Sequence, residues 1–107
     1  MCSDGAMIVI PKVERKVDFE GELAVMIGKA CRDASEGDAL QYVAGYCVAN
    51  DISGRQFQFD EPNGGQWVRS KSFDTFLPLS SKLVPASQVP DPQQLRIKTT
   101  VNDKVLS

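Results

Sequence analysis

The sequence predicts a mainly β domain of the α+β class, in which short helices connect the strands. Residues 17–29 and 43–49 are rich in apolar and β-branched residues and predict two buried strands. Residues 95–101 alternate between apolar and polar side chains and precede Asn102-Asp103, a pattern typical of a β-hairpin. Pro and Gly occur at short intervals between these segments and favour short elements.

Two short helices and several short strands complete this interpretation. Each helix is expected to begin beside a serine that can cap it, Ser35 for residues 35–42 and Ser53 for residues 54–60. Short strands are predicted at residues 8–10 and 66–68, near residue 79, and at residues 82–84.

Composition limits the function classes. The chain of 107 residues allows one domain, and its 42% hydrophobic and 24% charged residues are typical of globular proteins. Net charge is −2, and the 12 basic residues form no long block, which argues against nucleic-acid or membrane-surface partners. No apolar run approaches the roughly 18 residues that a membrane span requires.

Histidine and cysteine usage excludes several chemistries. The chain contains no histidine, so it cannot itself supply a Ser-His-Asp or Cys-His nucleophile system or a zinc site with a His ligand. Cys2, Cys31 and Cys47 lack CxxC spacing, which argues against a disulfide framework. The N-terminus has no signal-peptide pattern, so an intracellular, reducing compartment is expected, cytoplasmic or mitochondrial.

Three carboxylates suggest a metal site. In a strand, Glu20 and Glu22 point to the same face with Cα atoms about 6.5–7 Å apart. On an edge strand such a pair is ordinary, but the apolar residues that follow predict a strand covered on both faces. Two buried carboxylates repel each other, so one is protonated or a cation lies between them. Asp51 follows another apolar strand, and three oxygen donors suit Mg²⁺, Mn²⁺ or Ca²⁺ rather than Zn²⁺.

Lys71 is a candidate for the same site. Most lysines are surface residues, but Lys71 lies between a Trp-containing segment and two phenylalanines, Phe73 and Phe76, so partial burial is expected. A partly buried ammonium beside a metal–carboxylate cluster could stabilise a developing oxyanion or enolate.

Four linked segments resemble the fumarylacetoacetate hydrolase family. They read VDFEGELAVMIGK, YVAGYCVANDISGRQFQ, GGQW and KSFDTFLPLS, in the order and at the spacing that this family uses. The resemblance covers residues 8–107 and implies a mixed β-sandwich roll, incomplete at its C-terminus, with one divalent cation, usually Mg²⁺ or Mn²⁺. It implies that Glu20, Glu22 and Asp51 are the metal ligands and that the protein is a homodimer.

The resemblance also implies further roles. Lys71 matches the catalytic lysine of the family's KSF motif, and Thr75, Arg55 and Gln58 match residues that line its substrate pocket. Similar proteins act on small 2-oxo acids and 1,3-diketo acids, through C–C hydrolysis of acylpyruvates, decarboxylation or tautomerisation of oxaloacetate, or isomerisation of dienoates.

The chain departs from the family pattern at several positions. The family's S-A-R-D motif reads Ser53-Gly54-Arg55-Gln56 here, and Arg15 replaces a usual histidine. Neither the His/Glu lid nor the later TGTP-type loop is present. We therefore expect a single partial catalytic domain over residues 1–107, with residues 1–7 disordered or outside the family region.

Three functions remain open at this point. The leading hypothesis is a metal-dependent hydrolase, decarboxylase or isomerase that acts on a small 2-oxo acid. The alternative is a catalytically inactive, truncated paralogue that keeps the fold core and a metal site. A plain β-rich interaction module leaves the four linked segments unexplained.

Overall fold

The structure is a computed structural model that describes residues 1–60, 62 and 64–106. Its helices are α1 (Arg55–Phe59) and α2 (Trp67–Lys71), and short 3₁₀ turns cover Ala39–Tyr42, Ala86–Gln88 and Pro92–Gln94. Its strands are β1 (Cys2–Ser3), β2 (Val17–Asp18), β3 (Gly21–Ile27), β4 (Val43–Asn50), β5 (Ser53–Gly54), β6 (Pro78–Leu79), β7 (Val84–Pro85), β8 (Thr100–Val101) and β9 (Lys104–Val105).

The main sheet is built around β4, the longest strand. Its order is β1-β6-β4-β3, and β7 also pairs with β4. The β3–β4 pair is antiparallel and places Gly21 opposite Asn50 and Glu22 opposite Ala49. Just beyond this pairing, the Asp51 N–H donates to the Glu20 carbonyl at 2.9 Å. The register therefore brings the backbones of all three predicted metal ligands to one end of the β3–β4 pair.

A second small sheet leads into the first helix. β2 and β5 are antiparallel, with Asp18 opposite Ser53 and Val17 opposite Gly54. The helix α1 begins directly after β5 at Arg55. This short connection places the Arg55 side chain beside the strand that carries Asp18.

The core is formed by side chains from β4, from α1 and from the segments that follow β4 and α2. Its buried apolar side chains are Tyr46, Cys47, Ala49, Ile52, Phe57 and Phe76. Phe73 joins this core, with its ring centroid 5.7 Å from that of Phe57 and 5.2 Å from that of Phe76. These aromatic contacts hold α1 against the segment after α2, and they fix the position of Lys71 at the end of α2.

The predicted strand over residues 17–29 is interrupted. It forms β2 and β3, because side chains satisfy the backbone between them: Asp18 Oδ1 accepts the Phe19 N–H at 3.0 Å, and Asn50 Oδ1 accepts the Glu20 N–H at 3.1 Å. The expectation that both faces of this strand are covered is wrong. Val25 and Ile27 on one face are 49% and 57% exposed, and Met26 on the other face is 47% exposed, so neither face is covered at the end of β3.

Several local predictions are corrected. Residues 8–10 form no strand, and the Val9 N–H donates instead to Thr75 Oγ1 at 2.8 Å. Residues 66–68 are not a strand but the start of α2, where the Ser70 N–H donates to the Gln66 carbonyl at 2.9 Å. Only a 3₁₀ turn forms within residues 35–42.

The serine predicted to cap the second helix has another place. Ser53 lies in β5, and the N-cap of α1 is Gly54, which makes no side-chain capping bond. The N-terminus also differs from the expected disordered segment, because Cys2–Ser3 pairs in parallel with Pro78–Leu79.

Other predictions are confirmed. The strand at residues 43–49 is β4, and the hairpin around Asn102-Asp103 joins β8 to β9, although its ladder is shorter than predicted. A short strand occurs near residue 79, and the strand predicted at residues 82–84 is displaced to Val84–Pro85. No helix in the described part of the chain is long and apolar enough to cross a bilayer.

Candidate metal centre and its cationic neighbours

Three carboxylates converge where β3 begins and β4 ends. Glu20, Glu22 and Asp51 each offer one oxygen, and these oxygens lie within 4.8 Å of one another. Glu20 lies between β2 and β3, Glu22 on β3, and Asp51 one residue after β4. The cluster predicted from the sequence is therefore formed by the described residues.

Lys71 reaches this cluster from the end of α2. Its Nζ donates to Glu20 Oε2 at 2.8 Å and to Asp51 Oδ2 at 2.7 Å. A third bond goes to Ser53 Oγ at 2.8 Å. The side chain is 22% exposed, which agrees with the partial burial expected from its aromatic neighbours.

Arg55 holds the opposite side of Glu20. Its Nη1 donates to Glu20 Oε1 and to Gln58 Oε1, both at 2.6 Å. Its Nε donates to Asp18 Oδ2 at 3.0 Å, and its Nη2 lies 2.9 Å from the same oxygen. Asp18 thus orients Arg55, so the guanidinium does not depend on an acidic residue at position 56.

Ser53 connects Lys71 to two of the carboxylate residues. Its hydroxyl is fully buried and accepts from Lys71 at 2.8 Å. Its single hydrogen is shared between two acceptors within reach, Glu20 Oε1 at 3.2 Å and the Asp51 carbonyl at 3.0 Å. A buried hydroxyl bonded in this way helps to fix its neighbours relative to one another.

The three carboxylates differ in their electrostatic environment. Burial opposes the ionisation of Glu20, but hydrogen bonds from Lys71 and Arg55 outweigh it and hold the pKa of Glu20 below its ordinary value. Glu22 is the exposed member of the cluster, and partial desolvation, together with the charges of Asp51 and Glu20, raises its pKa. Among the described residues no hydrogen bond to the Glu22 carboxylate is found, so Glu22 is the carboxylate best able to accept a further cation.

The pKa values of the two cationic side chains, Lys71 and Arg55, are both raised. Burial lowers the pKa of Lys71, but its bonds to Asp51 and Glu20 outweigh this and raise the pKa above its ordinary value. Arg55 shows the same balance, with Glu20 and Asp18 raising its pKa. Both side chains therefore remain charged at neutral pH.

The donor set fits a hard divalent cation. Carboxylate oxygens are the ligands that Mg²⁺, Mn²⁺ and Ca²⁺ prefer, and the cluster contains neither a thiolate nor an imidazole. The cluster could therefore hold a metal ion, with Glu20, Glu22 and Asp51 as ligands.

Gln58 and Thr75, which the resemblance assigns to the substrate pocket, both make contacts with other parts of the chain. Gln58 is 2% exposed, and its Oε1 accepts from Arg55. Thr75 Oγ1 accepts the Val9 N–H and donates to the Asp74 carbonyl. Thr75 also has φ of 67°, a strained conformation for a β-branched residue that is often found at functional sites.

Sequence reasoning missed Asp18 and the structural role of Ser53. Asp18 has the same spacing of two from Glu20 as Glu20 has from Glu22, so the alternation could have indicated a third acidic side chain beside the pair. The sequence predicts only a helix-capping role for Ser53, because no local pattern indicates that Lys71 lies close to it in the fold.

A comparison with known protein families identifies the family of this chain. The family model described as "Fumarylacetoacetate (FAA) hydrolase C-terminal" matches residues 1–107. The chain belongs to the fumarylacetoacetate hydrolase family. This confirms the resemblance inferred from the four segments, and the mixed, sheet-dominated fold agrees with that of its structural relatives.

Relatives of this family member carry several enzyme names. A Burkholderia ambifaria protein with a general hydrolase name is 50% identical over 95 residues, which is 89% of this chain and 33% of the relative. The chain therefore spans about a third of the length of the curated relatives that it matches.

Two solved structures illustrate the range of activities in the family. A fumarylacetoacetate hydrolase from Exiguobacterium antarcticum is 34% identical with a TM-score of 0.78, over 87% of this chain and 32% of that one. A 5-carboxymethyl-2-hydroxymuconate delta-isomerase from Mycobacterium smegmatis is 38% identical with a TM-score of 0.75, over 86% and 34%. The family thus includes both hydrolases and isomerases.

Proposed function

We propose that this chain is the metal-binding part of a divalent-metal-dependent enzyme that acts on small 2-oxo acids or 1,3-diketo acids. The observation that carries the proposal is the convergence of Glu20, Glu22 and Asp51 beside the Lys71 ammonium. A cation and an ammonium side by side form a site suited to a substrate whose reacting oxygens become negative.

The metal in this proposal is Mg²⁺ or Mn²⁺, with Ca²⁺ also compatible with the oxygen donors. Glu20, Glu22 and Asp51 would hold it. When bound, the cation supplies a Lewis acid for the carboxylate and keto oxygens of a 2-oxo acid.

Lys71 is the proposed catalytic residue. Its raised pKa keeps the ammonium protonated at neutral pH, so it offers positive charge and N–H donors to an enolate oxygen that forms beside the cluster. Arg55 has a different task. Because Asp18, Glu20 and Gln58 engage its guanidinium, Arg55 acts here mainly by holding Glu20 in place.

Enolisation suits these residues better than hydrolysis. Cleavage of a C–C bond by water requires a base that activates the water, and the 107 residues contain no histidine to serve as one. Tautomerisation or decarboxylation of oxaloacetate needs stabilisation of the enolate, which Lys71 and the cation would provide. We therefore place acylpyruvate hydrolysis second among the candidate reactions.

A catalytically inactive role is the competing proposal. Both oxygens of Glu20 already accept bonds from cationic side chains, Oε1 from Arg55 and Oε2 from Lys71. A cluster neutralised in this way can stabilise a fold without turning over any substrate. We also propose a homodimer with a small 2-oxo acid as the ligand, as the family resemblance implies. The cysteine usage favours an intracellular compartment for it.

Turnover measurements distinguish the active from the inactive proposal. The chain is assayed for enol–keto exchange and decarboxylation of oxaloacetate and for acetylpyruvate cleavage, with Mg²⁺, with Mn²⁺ and with EDTA. Metal-dependent enol–keto exchange that is lost in Glu22→Gln and kept in the exposed control Glu36→Gln supports the proposed enzyme. Absence of turnover in every condition, with metal binding retained, supports the inactive form.

A further inference from the structure

We propose that Lys71 is a built-in competitor for the divalent cation, holding two of the three carboxylates until the metal takes them. This inference rests on the proposed metal site and adds to it a control on metal affinity. It follows from three features of the described residues: the bonds that Lys71 makes, the charge of the cluster, and the unequal engagement of the three carboxylates.

The bonds of Lys71 are directed at carboxylate oxygens of two proposed metal ligands, Glu20 and Asp51. Its Nζ lies 2.8 Å from Glu20 Oε2 and 2.7 Å from Asp51 Oδ2, which are distances of charge-assisted hydrogen bonds. An oxygen that accepts such a bond is less available to a metal ion. Binding of a cation at these two oxygens therefore requires Lys71 to give up at least part of this bonding.

The net charge of the cluster also supports competition between Lys71 and a metal ion. The three carboxylates, together with Asp18 on the far side of Arg55, carry four negative charges, and Lys71 and Arg55 carry two positive charges. A divalent cation thus enters a site that is net negative by two charges and meets an ammonium a few ångströms away. Removal of the Lys71 charge would deepen the negative potential and relieve this repulsion.

The carboxylates are unequally engaged. Glu20 accepts cationic donors at both oxygens, and Asp51 accepts one at Oδ2. No cationic side chain in the described part of the chain bonds to Glu22. The cluster is therefore arranged with Glu22 open to a metal ion and with Glu20 and Asp51 held by Lys71.

This competition links metal binding to the availability of the Lys71 N–H groups for a substrate. An ammonium bonded to two carboxylates has little capacity left for a substrate oxygen. Once the cation neutralises those carboxylates, the same ammonium regains N–H donors while its backbone stays fixed at the end of α2. The Lys71 ammonium would then be available to a substrate oxygen only in the metal-bound protein.

The test compares metal affinity and metal-free stability in one variant. Lys71→Met keeps most of the side-chain length and removes the charge, and Lys29→Met removes the same charge from an exposed position beyond the end of β3. Mn²⁺ is the probe, and its dissociation constant is measured by isothermal titration calorimetry and electron paramagnetic resonance.

Competition predicts two changes of opposite sign. Lys71→Met should bind Mn²⁺ at least about tenfold more tightly than the unmodified chain, the scale expected for removing a nearby monovalent charge. In EDTA, its midpoint of thermal unfolding should fall by about 5 °C or more, because Glu20, Asp51 and Ser53 lose their shared donor. Lys29→Met should change neither quantity appreciably, and Lys71→Arg should bind Mn²⁺ less tightly than Lys71→Met.

Equal or weaker Mn²⁺ binding by Lys71→Met overturns the competition while leaving the metal site intact. Absence of Mn²⁺ binding in every form, the unmodified chain included, overturns the proposed metal site and this inference with it. If Lys71→Met does not fold, the unmodified chain with ¹⁵N-labelled lysine gives the answer. Saturating Mg²⁺ should shift the Lys71 ammonium resonance and speed its hydrogen exchange, and an unchanged signal contradicts the proposal.

Discussion

Gly54 packs directly against the buried carboxylate of Glu14. A Cβ at position 54 would lie 2.5 Å from Glu14 Oε2 and 3.0 Å from its Cγ. Glu14 is 2% exposed, and its oxygens accept the backbone N–H groups of Gln56 at 3.4 Å and Phe57 at 3.3 Å. This contact ties the segment before β2 to the first turn of α1, which carries Arg55.

Gly54→Ala should therefore destabilise the chain. The added methyl group would force the Glu14 side chain out of a packed position, which typically costs about 1–3 kcal/mol. Urea unfolding checks the change in the free energy of unfolding, and Gly37→Ala, at an exposed and uncrowded site, is the matched control.

The cause of that loss can be isolated by a double-mutant cycle. If the clash is with Glu14, then Gly54→Ala should cost less when Glu14 is already alanine, because the shortened side chain leaves room for the methyl group. Additive effects of the two substitutions would contradict this explanation.

The contact between Gly54 and Glu14 is one that local sequence patterns do not predict. Local patterns predicted β4, the hairpin around Asn102-Asp103 and the clustering of Glu20, Glu22 and Asp51, because strand alternation and strand ends are local properties. The family motif that usually has alanine before the arginine has glycine here. Its reason, a carboxylate forty positions earlier in the chain, has no local signature.

Long-range contacts also explain the errors about burial and helix capping. Ser53 has the composition of a helix cap, yet its hydroxyl bonds to Glu20 and Lys71 across the fold. The apolar residues of β3 predicted a doubly covered strand, but coverage depends on neighbouring elements rather than on the strand itself. Asp18 was missed for the same reason, since its role depends on Arg55.

Glu22→Gln should remove most of the stabilisation that Mg²⁺ gives the chain. Glu22 is the cluster carboxylate without a cationic partner in the described structure, so its charge is the one most available to the metal. Ligand-linked stabilisation depends on affinity for the folded state, so differential scanning calorimetry with and without Mg²⁺ measures the effect. The exposed Glu36→Gln variant is the control, and an equal Mg²⁺ shift in Glu22→Gln would place the site elsewhere.

Glu20 should make the metal-free chain lose stability in acid. Its pKa in the folded chain lies below the ordinary value of 4.5, so the unfolded chain binds the proton more readily. The contribution is complete above pH 4.5 and disappears as the pH falls through the folded-state pKa. Urea unfolding in EDTA gives the free energy of unfolding at each pH in this range. This free energy should fall less steeply with decreasing pH in Glu20→Gln than in the unmodified chain. Parallel curves would contradict the assigned role of its bonds to Lys71 and Arg55.

The exposed apolar face of the β3–β4 pair should make the 107-residue chain self-associate. Leu23 and Val48 are cross-strand partners on this face, and Val48 is 66% exposed. Together with Leu95 and Ile97 they line a cavity of about 350 Å³, and apolar patches of this kind favour association. Sedimentation velocity should show concentration-dependent association that Val48→Asp reduces. Val68→Asp, on the equally solvated α2, should not reduce it, and a monomer at all concentrations would contradict the prediction.

Lys71→Ala should lower metal-dependent enol–keto exchange of oxaloacetate at least about 10²-fold, the scale for one lost electrostatic stabiliser of a developing oxyanion. The loss should appear in kcat at saturating Mg²⁺, because the variant retains all three carboxylates and loses only the group that faces the enolate oxygen. Stopped-flow loss of the enol absorbance measures this step, and a parallel acetylpyruvate assay measures hydrolysis.

The relative rates of these two reactions test the proposed chemistry more severely than either rate alone. Enol–keto exchange needs the cation and Lys71, both of which the cluster can provide, whereas hydrolysis also needs a base for water. The unmodified chain should therefore tautomerise oxaloacetate faster than it cleaves acetylpyruvate, and Lys71→Ala should lose the faster reaction. Faster cleavage of acetylpyruvate would show that a carboxylate supplies the missing base, and it would make hydrolysis the primary activity of this site.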